Sequence, residues 1–263
     1  MFDCMSIEKF DQEIRERGWV VFEKILPDEL TQALREDSLK WIDVCSKYQI
    51  KNGINTSGDG TAHQCIGGND SIDRFIDMHL FHKYIARYFD DKPYICNCCT
   101  PIGGFPGANI YVHQVHRDVR TFIPGYHLRL NMLIMCDDFT LENGATYVLS
   151  GSHKTEGRPD DDVFERQHER IVAPAGSVSL FNSALWHRGG HNATDRKRVA
   201  LTIGYGRPFV KPQMDYARML GEDYGRGLSP LTRQVLGYNA RVPVSLDEWY
   251  RPVAERLYHA DQG

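Results

Sequence analysis

The chain has 263 residues, of which 41% are hydrophobic, and it carries a formal net charge of −4 with a pI near 6.3. This size and apolar content can bury a substantial core, so we expect a single domain over residues 1–263. The weakly acidic balance provides no basic field for nucleic acid. No apolar run reaches the roughly 18 residues of a membrane span, and the N-terminus lacks the pattern of a secretion signal. We therefore predict a cytoplasmic protein that binds neither nucleic acid nor membrane.

The first fifty residues predict two helices on either side of a strand. Ile7, Phe10 and Ile14 recur at helical spacing, and the segment 18–22 has the composition of a strand. Pro27, followed by two acidic residues, predicts the start of the second helix. The expected buried stripe of that helix consists of Leu30, Leu34, Trp41, Ile42 and Cys45.

The stretch from about Ser46 to Asp70 is polar and rich in glycine, which predicts a loop. Such a loop is either a solvated surface excursion or a lid that closes over a substrate. The sequence leaves both interpretations open.

A strand pattern begins at Ala108 and leads into the triplet His116-Arg117-Asp118. Residues two apart in a strand point to one face, so Gln114, His116 and Asp118 share a face and Arg117 points away. Two imidazoles and one carboxylate on one side of an ion are typical of non-haem Fe(II) sites. Alone, the triplet is weak evidence, because 11 histidines and 35 acidic residues make such triplets common by chance.

A second strand is predicted from Tyr126 to Cys136. Its alternating residues Arg129, Asn131, Leu133 and Met135 share one face, and some of them should line the pocket.

A second segment supplies the missing histidine. A turn near Pro174 precedes the apolar run Val178–Phe181, then comes His187, and a Gly-rich loop leads to a strand that starts at Arg198. Arg198 lies eleven positions after His187, where its guanidinium can face the metal and pair bidentately with a carboxylate of an acid co-substrate. The alternative is that Arg198 belongs, with its two basic neighbours, to a solvated turn.

Other histidines and the cysteines are weaker candidates for ligands. In a regular strand His113 would point to the face opposite His116, and His191 lies in the loop, so we prefer His187 as the ligand. His153 and Trp186 are predicted to have structural roles. Seven cysteines include a cluster at 96–99, but no second pair follows at zinc-ligand spacing. We expect buried, reduced thiols.

From Phe10 to about Phe209 the chain resembles the phytanoyl-CoA dioxygenase family, a branch of the Fe(II)/2-oxoglutarate dioxygenases. The resemblance rests on His116 and Asp118, on the segment 142–153 with its Asn-Gly turn and Gly-Ser-His element, and on His187 followed by Arg198. Ser150 stands where proline is usual in the family. The resemblance implies a mostly β fold, a double-stranded β-helix (jelly roll, cupin-like) with flanking α-helices.

The same resemblance implies the chemistry and the roles of the residues. His116, Asp118 and His187 would hold Fe(II), and Arg198 would bind 2-oxoglutarate, with Asn131 and Gln114 as further contacts to the co-substrate. The enzyme would use dioxygen to hydroxylate or desaturate a C–H bond of a small-molecule substrate, while 2-oxoglutarate becomes succinate and CO2. The carboxylate of Asp118 favours these reactions over halogenation.

Two other classes of function remain open. One is a cupin-type metal enzyme that does not use 2-oxoglutarate, which usually has more histidine and a glutamate between its ligands. The other is a catalytically inactive barrel that acts as a binding protein, which should lack a ligand or the arginine. A fold alone does not decide between them. We expect the C-terminal residues 212–263 to pack helices around the barrel, and we favour a small polar substrate over an acyl-CoA. The sequence gives no oligomeric state.

Overall fold

Eight strands form two antiparallel sheets in residues 4–54, 60–108 and 110–263, the part of the chain that this computed structural model describes. The strands are β1 (Trp19–Phe22), β2 (Ile95–Gly104), β3 (Arg129–Met135), β4 (Thr146–Val148), β5 (Glu169–Ile171), β6 (Val178–Asn182), β7 (His187–Arg188) and β8 (Arg198–Gly206). The α-helices are α1 (Ile7–Glu16), α2 (Asp28–Lys51), α3 (Ser71–Met78), α4 (His82–Tyr88), α5 (Asp161–Gln167), α6 (Tyr216–Arg226), α7 (Pro230–Val235) and α8 (Leu246–Trp249).

The larger sheet has the strand order β1-β6-β3-β8-β2, and the smaller has the order β5-β4-β7. Strands that are distant in the sequence are neighbours in space, as in a jelly roll and unlike a simple meander. The predicted fold of antiparallel sheets with flanking helices is therefore confirmed. The helices contain more residues than the strands, and they cover the outer face of the larger sheet.

Alternation along β3 separates two cores. Leu130, Met132 and Ile134 pack against the helices, whereas Leu133 and Met135 pack between the two sheets. The shared face that the sequence predicted for the odd-numbered residues is therefore correct. The same interior face carries polar side chains at the first half of the strand, and this polar end marks the candidate site.

The two N-terminal helices start where the sequence predicted. Ser6 caps α1 by accepting a hydrogen bond from the backbone N–H of Lys9, and α2 begins directly after Pro27. Helix α2 runs to Lys51 and packs against β2 and β8, so the loop predicted from Ser46 begins six residues later than expected. Along α2 the side chains of Leu34 and Ile42 are buried, whereas the predicted stripe members Leu30, Trp41 and Cys45 are only half-buried.

The lid hypothesis for the polar loop stays a prediction. Residues 55–59, at its centre, lie outside the described residues. On its C-terminal side Asp70 caps α3 by accepting hydrogen bonds from the backbone N–H groups of Ile72 and Asp73.

The prediction of a strand before the metal triplet is wrong. Residues Tyr111–His113 form a 3-10 helix, and of the following residues only His116 makes an isolated bridge, to His187. The chain bends here because the backbone N–H groups of Asp118 and Val119 both donate to the carbonyl oxygen of Ser183. His116 and Asp118 are therefore brought together by a bent segment and not by the alternation of a strand.

The C-terminal prediction is confirmed only in part. The side chains of Tyr216 and Tyr238 are buried in the helix-facing core, but Trp249 and Tyr250 are exposed. All seven cysteines are free, and Cys96, Cys98 and Cys99 are buried in β2, as expected for reduced thiols. Among the described helices, none is both long and apolar enough to cross a bilayer.

His153 gives the fold a pH dependence. Its ring lies against Gly18, where an added Cβ would come within 2.4 Å of the His153 Nδ1, and burial followed by the charge of Lys154 lowers the pKa of His153 to about 4. An unfolded histidine has a pKa of about 6.5, so the unfolded chain binds the proton more tightly. The folded state should thus lose stability as the pH falls from about 6.5 towards 4.

We expect the substitution His153→Asn to reduce this loss of stability but not to abolish it, because burial also lowers the pKa of His187 to about 4. Urea unfolding of the wild type and the variant at a pH of about 7 and about 5 measures it, and the exposed His259→Asn is the matched control. An equally steep loss in the His153 variant would assign the pH dependence to other groups.

Candidate metal centre and co-substrate cavity

Three predicted ligands meet at one end of the barrel. Ligand atoms of His116, Asp118 and His187 lie within 4.8 Å of one another. The His116 Nε2 is 3.7 Å from Asp118 Oδ1, and the His187 Nε2 is 3.9 Å from Asp118 Oδ2. Both separations are shorter than two metal–ligand bonds of about 2.1 Å laid end to end. One ion can therefore bridge the carboxylate to each imidazole.

Backbone carbonyl groups orient both imidazoles. The His116 Nδ1–H donates to the carbonyl oxygen of Gln114 at 2.7 Å, and the His187 Nδ1–H donates to that of Leu185 at 2.9 Å. These hydrogen bonds leave the Nε2 lone pairs facing Asp118, as is usual for histidine ligands of metals. Burial, together with the charge of His116, lowers the pKa of His187 to about 4. His187 is thus neutral, and ready to bind a metal, at neutral pH.

The carboxylate of Asp118 is held in its ionised form. Burial alone would raise its pKa, but electrostatic interactions with His187, Arg129 and His116 and a hydrogen bond from Asn131 together keep the pKa below its usual value. The Asn131 Nδ2 donates to Asp118 Oδ2. Two imidazole nitrogens and one anionic oxygen, each oriented by a neighbour, fit Fe(II).

Asn131 and Gln114 were predicted to contact the co-substrate, and their positions do not support that role. The Asn131 side chain is fully buried behind Asp118, and Gln114 acts through its backbone carbonyl on His116. Neither residue lines the cavity at the metal centre. The sequence correctly placed Asn131 on the interior face. Alternation along a strand, however, indicates only which face a side chain occupies and not how deeply it is buried. Both residues form hydrogen bonds to predicted metal ligands, Asn131 to Asp118 and Gln114 to His116.

The other histidines lie outside the cluster. The rings of His113 and His191 contact each other with centroids 4.1 Å apart. Arg117 points away from the cluster, as expected, with its guanidinium 5.1 Å from the ring of Trp186.

A cavity of about 180 Å³ adjoins the three ligands. Leu133, Phe181 and Ala200 provide apolar walls, and Arg198 lies at its edge on the first residue of β8. This cavity is large enough for a small acid and below the usual size of a pocket that holds a whole drug-sized ligand, about 300–1,000 Å³.

Arg198 is a buried cation, and the carboxylate that acts on its charge, Asp137, pairs directly with Arg35 instead. Arg198 is 6% exposed, it forms no ion pair with any described residue, and its Nε has no hydrogen-bond partner. Burial lowers the pKa of Arg198 to about 10, with Asp137 opposing the shift, so the group stays charged at neutral pH. The alternative of a solvated turn is wrong, because only its neighbours Arg196 and Lys197 are exposed.

The barrel also makes room for this guanidinium. Gly104 on β2 pairs with Arg198, and a Cβ at Gly104 would lie 2.9 Å from the Arg198 Nε. The ring of Phe139 lies 4.2 Å from the guanidinium carbon on another side. A buried charge of this kind is costly unless an anion pairs with it. The arrangement is therefore suited to binding a carboxylate beside the metal.

Sequence reasoning gave no role to Arg129, which also lines this cavity. Its position on the interior face, two residues before Asn131, was the available signal. What the sequence could not show is that Arg129 is buried without an ion pair among the described residues.

Comparison with known proteins connects this geometry to a family. Residues 102–200, which include the three ligands and Arg198, match the model of the family described as phytanoyl-CoA dioxygenase (PhyH). The uncharacterized protein Rv1501 of Mycobacterium tuberculosis is 35% identical over 159 residues, which cover 60% of this chain and 58% of Rv1501. The match thus spans little more than half the length of that relative.

Two further similarities concern cofactor and fold. The iron/alpha-ketoglutarate-dependent dioxygenase ausU of Aspergillus calidoustus is 31% identical over 122 residues, or 44% of this chain and 39% of ausU. The crystal structure of AviO1 from Streptomyces viridochromogenes superimposes with a TM-score of 0.61 at 16% identity, covering 81% of this chain and 99% of AviO1. At that identity the likeness to AviO1 concerns the fold alone.

Proposed function

Because the chain belongs to the phytanoyl-CoA dioxygenase family, we propose that it is an Fe(II)- and 2-oxoglutarate-dependent oxygenase. It would hydroxylate or desaturate a C–H bond of a small-molecule substrate and convert 2-oxoglutarate to succinate and CO2. The observation that carries this proposal is the buried, unpaired guanidinium of Arg198 beside the cluster of His116, Asp118 and His187. We treat residues 1–263 as one catalytic domain.

The protein's own residues would hold and orient the reacting groups. The Nε2 atoms of His116 and His187 and the carboxylate of Asp118 would bind Fe(II) on one side and leave its other positions open. When bound, iron and 2-oxoglutarate supply the activation of dioxygen that C–H oxidation needs. The protein contributes the fixed ligand geometry, because backbone carbonyls and Asn131 restrain all three ligands.

Arg198 would bind a carboxylate of 2-oxoglutarate through a bidentate, charge-assisted pair. The apolar side chains of Leu133, Phe181 and Ala200 would contact the methylene groups and keep water away from this end of the cavity. A cupin-type enzyme without 2-oxoglutarate would have no use for an unpaired guanidinium at this place. An inactive binding protein would be expected to lack a ligand or the arginine, and all four residues are present.

The proposal predicts a spectroscopic signature. Fe(II) and 2-oxoglutarate added together to the apoprotein without oxygen should produce a weak visible metal-to-ligand charge-transfer band. The band should require both components, because it reports a 2-oxo acid chelated to Fe(II). Fe(II) with succinate is the control, since succinate has the carboxylates and lacks the ketone. Demonstrated Fe(II) binding without a band would favour the cupin-type alternative.

A further inference from the structure

Arg129 is a second buried cation in the barrel interior. It is 8% exposed at the start of β3, it forms no ion pair with any described residue, and its Nε has no hydrogen-bond partner. Its Nη2 donates to the Sγ of Cys98 at 3.0 Å. A thiol is a weak acceptor, and burial raises the pKa of Cys98, which keeps the thiol neutral. The charge of Arg129 is therefore not balanced by Cys98.

Strand β8 leaves space for this guanidinium. Gly204 faces β3 in the sheet, and a Cβ at Gly204 would lie 2.6 Å from the Arg129 Nη2 and 2.9 Å from the Cys98 Sγ. Any larger residue at position 204 would displace the guanidinium. The same device, a glycine opposite a buried arginine, accompanies Arg198 at Gly104.

Arg129 lines two cavities at once. One is the cavity of about 180 Å³ at the metal ligands, and the other has about 550 Å³ and is bordered by residues 119 and 121–129. The larger volume lies within the usual range for ligand pockets, about 300–1,000 Å³. Arg129 thus stands where a molecule in the larger cavity would approach the metal centre.

The border of the larger cavity is positively charged. Its carboxylates, Asp11 and Asp90, already pair with Arg87 and Arg207. Arg15 and Lys154 add two cations to the same border, of which Arg15 lies 4.0 Å from the carboxylate of Glu16. Such a border raises the local concentration of anions.

A count of formal charges in the loaded site points the same way. Fe(II) and Asp118 sum to one positive charge, and doubly charged 2-oxoglutarate together with Arg198 brings the total to zero. Apart from its electrostatic interaction with Asp118, which the metal would share, Arg129 then remains as one positive charge that forms no ion pair with a described carboxylate. A buried charge of this kind calls for an anion.

We propose that Arg129 binds a carboxylate of the primary substrate, which occupies the larger cavity and presents a C–H bond towards the metal centre. This inference rests on the proposed oxygenase function, and it names the class of substrate as a carboxylic acid. A planar guanidinium with a free Nε suits bidentate pairing with a carboxylate.

The test measures binding of matched acids and amides by calorimetry without oxygen. Benzoate, cinnamate and octanoate are each compared with their primary amides, on wild-type protein with and without Fe(II) and saturating 2-oxoglutarate. We expect at least one acid to bind wild type about tenfold or more tightly than its amide, since a hydrogen bond between charged groups is stronger than one to a neutral amide. Arg129→Met should remove this preference, and Arg129→Lys should restore part of it. Arg226→Met, at an exposed position on α6, is the matched control.

Two measurements keep the result interpretable. Gly204→Ala should weaken acid binding by displacing the guanidinium while Arg129 is retained. The charge-transfer band reports whether Arg129→Met still folds and binds 2-oxoglutarate, and we expect an affinity for 2-oxoglutarate within about twofold of wild type, because Arg198 holds that acid.

Three outcomes would overturn the proposal: equal binding of acids and amides by wild type, an acid preference that survives in Arg129→Met, or a loss of 2-oxoglutarate affinity in Arg129→Met as large as in Arg198→Met. The last would assign Arg129 to the co-substrate. If the wild-type protein binds acids more tightly than amides but never develops the charge-transfer band, the proposed oxygenase function would be refuted and the anion site at Arg129 would be supported.

Discussion

Replacing Asp118 with alanine is expected to abolish Fe(II) binding and turnover while the fold survives. The variant keeps two imidazoles and loses the carboxylate, whose ionised form is favoured by Arg129 and by a hydrogen bond from Asn131. Substitutions of residues that merely orient a ligand typically cost about 10- to 100-fold in metal affinity. Loss of the ligand itself should exceed that range. Calorimetric titration with Fe(II) without oxygen, and succinate formation with oxygen, measure the two effects.

The control for this variant is Asp195→Ala, which removes an exposed carboxylate from the loop between His187 and Arg198. It should leave both measurements unchanged. The Asp118 variant also removes the acceptor of the Asn131 hydrogen bond, so a loss of stability of about 1–3 kcal/mol is expected from a buried donor without a partner. Thermal unfolding separates that loss from the loss of metal. Full activity of Asp118→Ala would refute the assignment of the ligands.

Elements with a strong local pattern could be predicted from the sequence. A helix or strand that packs against the core is buried on one face, and this burial produces a periodic pattern of apolar residues. The helical spacing of Phe10 and Ile14 and the alternation along β3 are two such patterns. The start of α2 at Asp28 follows from Pro27, whose missing N–H and fixed φ suit a helix start.

The conformation of the segment around the metal triplet could not be predicted, whereas the meeting of His116, Asp118 and His187 at one point could. Apolar residues at 110, 112 and 115 gave a strand pattern, but the backbone between 111 and 113 turns as a 3-10 helix. The bend is fixed by Ser183, whose carbonyl accepts two hydrogen bonds from a distant part of the chain. Local amino-acid composition cannot predict such a long-range hydrogen bond.

The structure explains why Ser150 stands at a position where the family usually has proline. Its hydroxyl accepts a hydrogen bond from the Trp19 Nε1 at 2.8 Å and donates to Glu169, which also pairs with Arg17. A proline could make neither of these hydrogen bonds. The serine therefore ties β1 to β5 through a polar link.

The roles of Asn131 and the two buried arginines depend on what surrounds them in three dimensions. Parity put Asn131 on the interior face, and the structure shows it behind Asp118. An arginine lacks a counter-charge only if none of its neighbours in three dimensions is an acidic residue that pairs with it. No pattern along the sequence indicates which residues those neighbours are. Arg198 could be found from its spacing to His187, whereas the alternation along β3 could place Arg129 only on the interior face, among the residues expected to line the pocket.

Replacing Arg198 with methionine is expected to raise the concentration of 2-oxoglutarate required for half-maximal activity by about 10- to 100-fold. The reason is the loss of a charge-assisted pair, since hydrogen bonds to charged groups contribute about 1.5–3 kcal/mol. Fe(II) affinity should change little, because Arg198 is not among the metal ligands. Titrating the charge-transfer band with 2-oxoglutarate, and measuring succinate formation, test both statements.

The apoprotein of the same variant should be as stable as wild type or more stable. Methionine fills a similar volume, and it removes a buried charge that has no partner in the free protein. If Arg198 serves co-substrate binding at the expense of stability, the two measurements should change in opposite directions: weaker co-substrate binding and a higher midpoint of thermal unfolding. Arg196→Met, at the exposed neighbour two positions away, should move neither quantity. An unchanged 2-oxoglutarate requirement in Arg198→Met would transfer the carboxylate site to another cation, and Arg129 would be the first to test.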